Sequence, residues 1–304
     1  MKTNRVPLFI FCASLAIMTL ACSLSTGGNQ ETRATDEPSE EIQATDKPSE
    51  ETQATDEPGS DGSTGTPVRA YIEQVSNQAE VPADGTATVT ATCPEDSLML
   101  GGGFASGPGM IIKKTMPDPA GWLVHGVNNS ESTLPLTAYA YCLHGVQATT
   151  TIVTSEELVS GYPKASCKIE EITTGGGYAY DTDTLLVYIS TPLENPHPYA
   201  WAVYAQNLSQ EDQPIRVYAV CLAGSGLRSI TVRDNQVTYV PEANNLSFTL
   251  ECPEGAVMSQ GGYEGTGAYI SRTSATDEGQ WEVQVQEKVY FDGSLDHAVC
   301  LYLP

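Results

Sequence analysis

Six of the eight cysteines, those beyond Cys12 and Cys22 of the N-terminal segment, three glycine-rich runs and four histidines are the residues whose types and spacing could do chemistry. Cys93, Cys167 and Cys252 each stand eight residues before such a run: "GGGF" from Gly101, "GGGY" from Gly175 and "QGGY" from Gln260. A glycine loop that cradles phosphate needs a helix N-terminus or a Lys-Ser/Thr directly after it, so that amides and a cation converge on the anion. Neither follows any of the runs; more strand and turn come next, as in "GGYEGTGAYISRT". Glycines inside a strand instead mark a bulge or a place where another segment lies close on the backbone. His125, His144, His197 and His297 are isolated, and the chain has no HExxH and no GxSxG elbow, so local spacing assembles no hydrolytic machinery. Carboxylates brought together only by folding leave one route open to a hydrolase. Asp181 and Asp183 in "YDTDT" offer oxygen ligands to Ca²⁺ but lack EF-hand spacing. The cysteines lack the CxxC spacing and histidine company of a zinc site. The expectation is no enzyme, no cofactor and no resident metal.

The glycine runs belong to an internal repeat of roughly 79 residues. Phe104, Tyr178 and Tyr263 end the runs at equivalent positions, and the three tryptophans, Trp122, Trp201 and Trp281, follow one per unit. Cys142, Cys221 and Cys300 then stand in "YAYCL", "YAVCL" and "HAVCL". The units span 68–146, 147–223 and 224–304. Six cysteines permit 15 pairings, and the repeat register favours Cys93 with Cys142, Cys167 with Cys221, and Cys252 with Cys300. Each bond would close a loop of about 50 residues and contribute roughly 4 kcal/mol in the chain-entropy model. Gly102, Gly103, Gly176, Gly177, Gly261 and Gly262 are expected to form a repeated core feature with the aromatic beside them, giving the tryptophan of the unit room to pack.

Those positions must be held by strands, because apolar residues alternate with period two. In "TATVTATC" Ala87, Val89, Ala91 and Cys93 share a face; in "IRVYAVC" Ile215, Val217, Ala219 and Cys221 do; in "WEVQVQE" Trp281, Val283 and Val285 do. Turn signals such as "PADG", "PDPAG" and "DEGQ" separate about five strands per unit, with "MIIKKTM" and "AYISRTS" as candidates for one more. The fold class is all-β. Two architectures fit: three tandem antiparallel sandwich-like modules, or one pseudo-threefold body resembling a β-prism. The tryptophans lie in phase with core residues. Tyr139, Tyr141, Tyr204 and Tyr218 lie out of phase and are candidates for a ligand surface, where a phenol can stack and hydrogen-bond at once.

The ends and the charge narrow the setting. Residues 1–22 open with Lys2 and Arg5, run apolar through "PLFIFCASLAIMTLA" and reach Cys22, the order of a cleaved export signal. The junction "MTLAC-S" resembles a bacterial lipobox, which implies lipidation of Cys22; Thr19 departs from that pattern and leaves a plain cleaved signal as the alternative. Residues 23–66 carry near-repeats such as "RATDEPSEE" and "QATDKPSEE" with almost nothing apolar, and read as a disordered acidic tether. The net charge of −24 divides into +2 for the signal, −9 for the tether and −17 for the remainder. That balance excludes nucleic acid and anionic lipid surfaces as ligands, since both need basic patches.

The pattern "CP...GGG[FY]...GW...YAxCL" resembles a repeat of exported bacterial proteins that often stands behind a signal peptide or lipobox. The resemblance covers residues 68–304, is strongest in the first unit and weakest in the second, where "CK" replaces "CP". It implies an extracytoplasmic all-β module and carries no catalytic residues with it. The expected function is a lipid-anchored cell-envelope protein with non-enzymatic binding modules for carbohydrate or protein. The alternatives are a purely structural envelope component and an extracytoplasmic hydrolase.

Overall fold

The computed structural model describes residues 69–159, 162–194, 198–234, 238–240, 245–264, 269–286 and 295–304. The expected export signal, Cys22, the expected tether and His197 lie outside them. Among the described residues there are nineteen strands and no helix. The first repeat contains β1 (Tyr71–Val81), β2 (Thr86–Ala91), β3 (Leu98–Ser106), β4 (Met110–Asp118), β5 (Gly121–Asn128) and β6 (Leu134–His144). The second contains β7 (Ala148–Leu158), β8 (Lys164–Ser166), β9 (Ile172–Ala179), β10 (Leu185–Glu194), β11 (Pro198–Asn207) and β12 (Pro214–Gly224). The third contains β13 (Arg228–Asp234), β14 (Thr238–Val240), β15 (Asn245–Leu250), β16 (Val257–Glu264), β17 (Tyr269–Ala275), β18 (Trp281–Gln286) and β19 (Leu295–Tyr302). The segments "MIIKKTM" and "AYISRTS" do form strands, β4 and β17.

The strands build three antiparallel sheets, each from two repeats. Sheet A runs β1-β6-β3-β17-β18-β15-β14, sheet B runs β2-β5-β4-β9-β12-β7, and sheet C runs β13-β19-β16-β10-β11-β8. The joins are equivalent around the ring: Thr115 pairs with Tyr178, Ser190 with Tyr263, and Thr273 with Phe104. Within the first repeat the triplet β1-β6-β3 faces β2-β5-β4 across a core that includes Val81, Val89, Trp122, Val124, Leu136 and Ala138. The second repeat has its own core around Trp201, Val203, Ile215, Val217 and Ala219. Each repeat is thus sandwich-like, and two of its four sheet edges are paired with its neighbours to give one pseudo-threefold body.

The three disulfides join the expected pairs, Cys93–Cys142, Cys167–Cys221 and Cys252–Cys300, with Cα separations of 5.6, 5.6 and 5.7 Å. The turn after the first cysteine is the same in each repeat: Ser97, Glu171 and Ala256 donate their N–H to Pro94, Lys168 and Pro253, so Lys168 in place of proline leaves it intact. Where the repeats meet, Leu143, Leu222 and Leu301, each directly after a second cysteine, bury together with Leu100. Burying a leucine contributes about 1.5–3 kcal/mol, so this small cluster fastens all three units.

The glycine runs work at this meeting point, and each position has its own task. A Cβ on Gly102, Gly176 or Gly261 would fall 2.2, 2.2 or 2.4 Å from the tryptophan of the same repeat. A Cβ on Gly103, Gly177 or Gly262 would fall 1.9, 1.9 or 2.5 Å from a carbonyl oxygen of the neighbouring repeat, that of Thr273, Thr115 or Ser190. At the first position the symmetry breaks. Gly101 and Gly175 leave a space that the Gln260 side chain fills, its Oε1 accepting the Gly102 and Gly176 N–H at 3.1 and 3.0 Å and its Nε2 donating to the Gly176 carbonyl at 2.7 Å.

Candidate binding face

One strand of each repeat, β4, β10 and β17, carries a bulge at the same place, between Ile112 and Lys114, between Val187 and Ile189, and between Ile270 and Arg272. The inserted residues are Lys113, Tyr188 and Ser271. A bulge adds one residue to a strand and re-aims its side chains, and it does so here beside equivalent residues on the next strand, His125, Tyr204 and Gln284. One strand further out stand Thr88 and Ser247, paired with His125 and Gln284. In the second repeat, Tyr162 takes this place just ahead of β8, as Val203 donates its N–H to Pro163.

The scaffold is therefore repeated, but its chemistry is not. In sheet B the row is charged. Lys113 pairs with Asp183, Lys114 with Asp181 at 2.6 Å, and Arg216 with Asp181 at 3.2 Å. The hydrogen bond from Lys114 holds the Asp181 carboxyl below its ordinary range, and Lys113 does the same to Asp183. Partial burial, then the Lys114 and Lys113 charges, lower the pKa of His125, whose Nδ1 lies 2.9 Å from Thr88 Oγ1. The carboxylates of "YDTDT" that offered a Ca²⁺ site are matched by three cations instead. In sheet A the row is polar, with Glu282 receiving Ser247 Oγ at 2.9 Å, Gln284 Nε2 at 2.8 Å and Arg272 Nε at 3.1 Å.

In sheet C the row is aromatic. Tyr162 and Tyr204 have ring centroids 4.9 Å apart at an interplanar angle of 37°, and Tyr188 and Tyr204 are also 4.9 Å apart, edge to face at 74°. Tyr162 is 63% exposed, and Tyr188 and Tyr204 are half-buried. Three phenols thus stand in contact across the sheet, with Tyr162 the exposed one.

Of the four tyrosines expected at a ligand surface, Tyr204 is the one in this row. Tyr139 is half-buried opposite Gly103. Tyr141 and Tyr218 must be corrected, because they are only 2% and 7% exposed. Both lie opposite glycines, Gly101 and Gly177. Tyr141 lies against Trp281 of the third repeat at 5.8 Å and accepts the Ala275 N–H at 2.6 Å. Their face is out of phase with their own core but is covered where repeats meet. The tryptophans are fully buried, as are the aromatics of the glycine runs to within 4%. Trp122 and Trp201 donate their indole N–H to Thr115 and Ser190 at 2.9 Å, whereas Trp281 presents its Nε1 edge to Gly261 and leaves it unpaired.

Two further histidines lie against carboxylates. His144 lies 3.1 Å from Glu73 and stacks on Tyr71 at 4.6 Å; His297 lies 3.1 Å from Glu264. Among the described residues the one group with metal-ligand spacing is Cys167, Glu171 and Cys221, and its two sulfurs are joined to each other. Sequence reasoning missed Tyr162 and Tyr188, and also two loop pins. Six residues after Trp122 and Trp201, Asn128 and Asn207 each bind the N–H and hydroxyl of a serine two residues on, at 2.9 and 2.8 Å. That recurring Asn-x-Ser was the available signal. Two pseudo-equivalent grooves also lie between repeats, of about 570 Å³ by Gln74, Tyr141 and Gln280, and about 560 Å³ by Glu194, Arg228 and Tyr302. No protein-family model matches the chain, and no curated protein matches it significantly.

Proposed function

We propose that this chain is a lipid-anchored bacterial envelope protein whose β body is a non-enzymatic binding module, and that its ligand is carbohydrate. The observation that carries this reading is the row Tyr162–Tyr204–Tyr188 in sheet C. A pyranose ring has an apolar face that an aromatic ring covers and a rim of hydroxyls that phenols can bind. An aromatic row backed by a rigid sheet therefore offers stacking without much loss of side-chain freedom. The three disulfides fit an oxidising, extracytoplasmic environment, and the signal, Cys22 and the acidic tether would hold such a module away from a membrane. A glycan and envelope-polysaccharide array on the full chain tests the reading, with Tyr204→Ala and Tyr162→Ala beside the parent. Each substitution should weaken binding about five-fold, since an aromatic contact contributes about 1 kcal/mol. No binding above background, or binding that neither substitution changes, counts against it. Radiolabelled palmitate should enter the parent and not Cys22→Ala.

A further inference from the structure

The three sheets end in strands that differ in how they are guarded. Unpaired strand edges are templates for further pairing, and proteins usually protect them with charge, proline, shortness or cover. On sheet A the long edge β1 carries Glu73 and Glu80, and on sheet C β13 carries Arg228 and Arg233. At one end of sheet B, β2 has its Thr90 carbonyl capped by the Asn77 side chain at 3.0 Å, and at the other end of sheet C, β8 is three residues long with Lys164 among them. The edge β7 has none of these devices over Ala148–Ser155. Its sequence "ATTTIVTS" is uncharged and made largely of β-branched residues, and Ile152 is 44% and Leu158 50% exposed.

The register shows which backbone groups are free. Val159 donates its N–H to Gln213 at 3.0 Å, so in the ladder with β12 the odd-numbered residues exchange hydrogen bonds and the even-numbered ones do not. Pro214, which has no N–H, falls opposite Leu158 in agreement. The N–H and C=O of Thr150, Ile152, Thr154 and Glu156 therefore point outward from the sheet.

We propose that β7 pairs with β7 of a second copy of this chain, antiparallel about a twofold axis, to join two sheets B into one of twelve strands. The strand is self-complementary in its full-length register. Ala148 meets Leu158 of the copy, Thr150 meets Glu156, Ile152 meets Thr154, and Val153 sits on the axis. Glu156 and Glu157 face threonines, so no like charges are opposed along the ladder. Both Ile152 side chains lie on one face next to the axis and cover each other. An isologous twofold contact needs this kind of self-match, and neither β1 nor β13 is free of charge over such a length.

Edge pairing buries little area, so the dimer is weak and forms with rising concentration. Because each folded part carries −17, the dimer tightens as salt rises from about 0.01 M to about 0.15 M and the screening length falls from about 30 Å to about 8 Å. Sedimentation equilibrium of the full chain tests this, with Ile152→Lys, which places a charge on the exposed edge, and Thr154→Pro, which removes one outward N–H at a position where an edge strand tolerates proline. The expected result is a concentration-dependent dimer in the parent, strengthened by salt and lost in both variants, with thermal unfolding of the variants unchanged. A monomer at every concentration and salt, a dimer that survives both substitutions, or a dimer that salt dissolves overturns it. So does a monomer that takes up an unrelated extended peptide at β7.

Discussion

At the residue scale, one side chain departs from the repeat and holds it together. Gln260 occupies the position that is glycine in the other two units, and its amide bonds to backbone groups of both. Replacing it with alanine strands two buried N–H groups, each at a cost of about 1–3 kcal/mol. Gln260→Ala should therefore lower stability by about 2–6 kcal/mol, seen as a lower urea midpoint at unchanged slope; a midpoint within error of the parent would show that the hub is not what binds the units. The converse substitution, Gly101→Ala, would set a Cβ 2.1 Å from Gln260 Oε1, and its penalty should shrink in the Gln260→Ala background. The sequence displayed Gln260 as a degenerate glycine. Its role was hidden because it depends on two absent side chains far away in the chain.

Buried phenols give a second test at this scale. Burial pushes the pKa of Tyr141, Tyr178, Tyr180 and Tyr263 above the ordinary tyrosine value, and the neighbouring phenol adds to the effect at Tyr178. Raised pKa values in the folded state mean that the native protein binds more protons than the unfolded chain above about pH 10. The stability held below that pH is lost as pH rises further. Absorbance titration at 295 nm should show four of the 15 tyrosines silent in the native protein until it unfolds, and all of them titrating together in denaturant.

At the scale of the element, period-two alternation located the strands well because one face of each is packed on a core. It failed at the bulges. An inserted residue reverses the phase of everything beyond it: Leu185 and Val187 are buried in phase, and past Tyr188 the buried positions move to Ser190 and Pro192, which leaves Ile189 opposite Tyr204. It failed again at β6 and β12, where the second face is buried by another repeat and Tyr141 and Tyr218 are lost to any ligand. The cysteines were legible because each bond stays within one unit and follows its register. Replacing both Cys167 and Cys221 with alanine reopens a loop of 54 residues and should cost about 4 kcal/mol in the chain-entropy model. A loss well under half of that would place the stability of the second repeat in its contacts with its neighbours.

At the scale of the whole molecule, the ring of shared sheets decides how the protein unfolds. Local patterns could not choose between separate sandwiches and one body, because the choice rests on three short ladders, β4 with β9, β10 with β16 and β17 with β3, that join residues of different repeats. Removing the third repeat leaves the first of these ladders but opens β3 and β10 to water, withdraws Leu301 from the central cluster and takes Gln260 from the glycines it fills. No repeat can then close both of its edges, and exposed apolar edges aggregate. The intact chain should unfold in one transition by both fluorescence and far-ultraviolet circular dichroism, whereas a chain truncated after residue 223 should fail to give a soluble, cooperatively folded product. Three resolved transitions, or a stable fragment, would mean that each sandwich stands alone and that the ladders between repeats only align them. Cooperativity across the ring would instead fix the charged, polar and aromatic rows in a constant arrangement, so that one chain carries three chemically distinct rows at set positions.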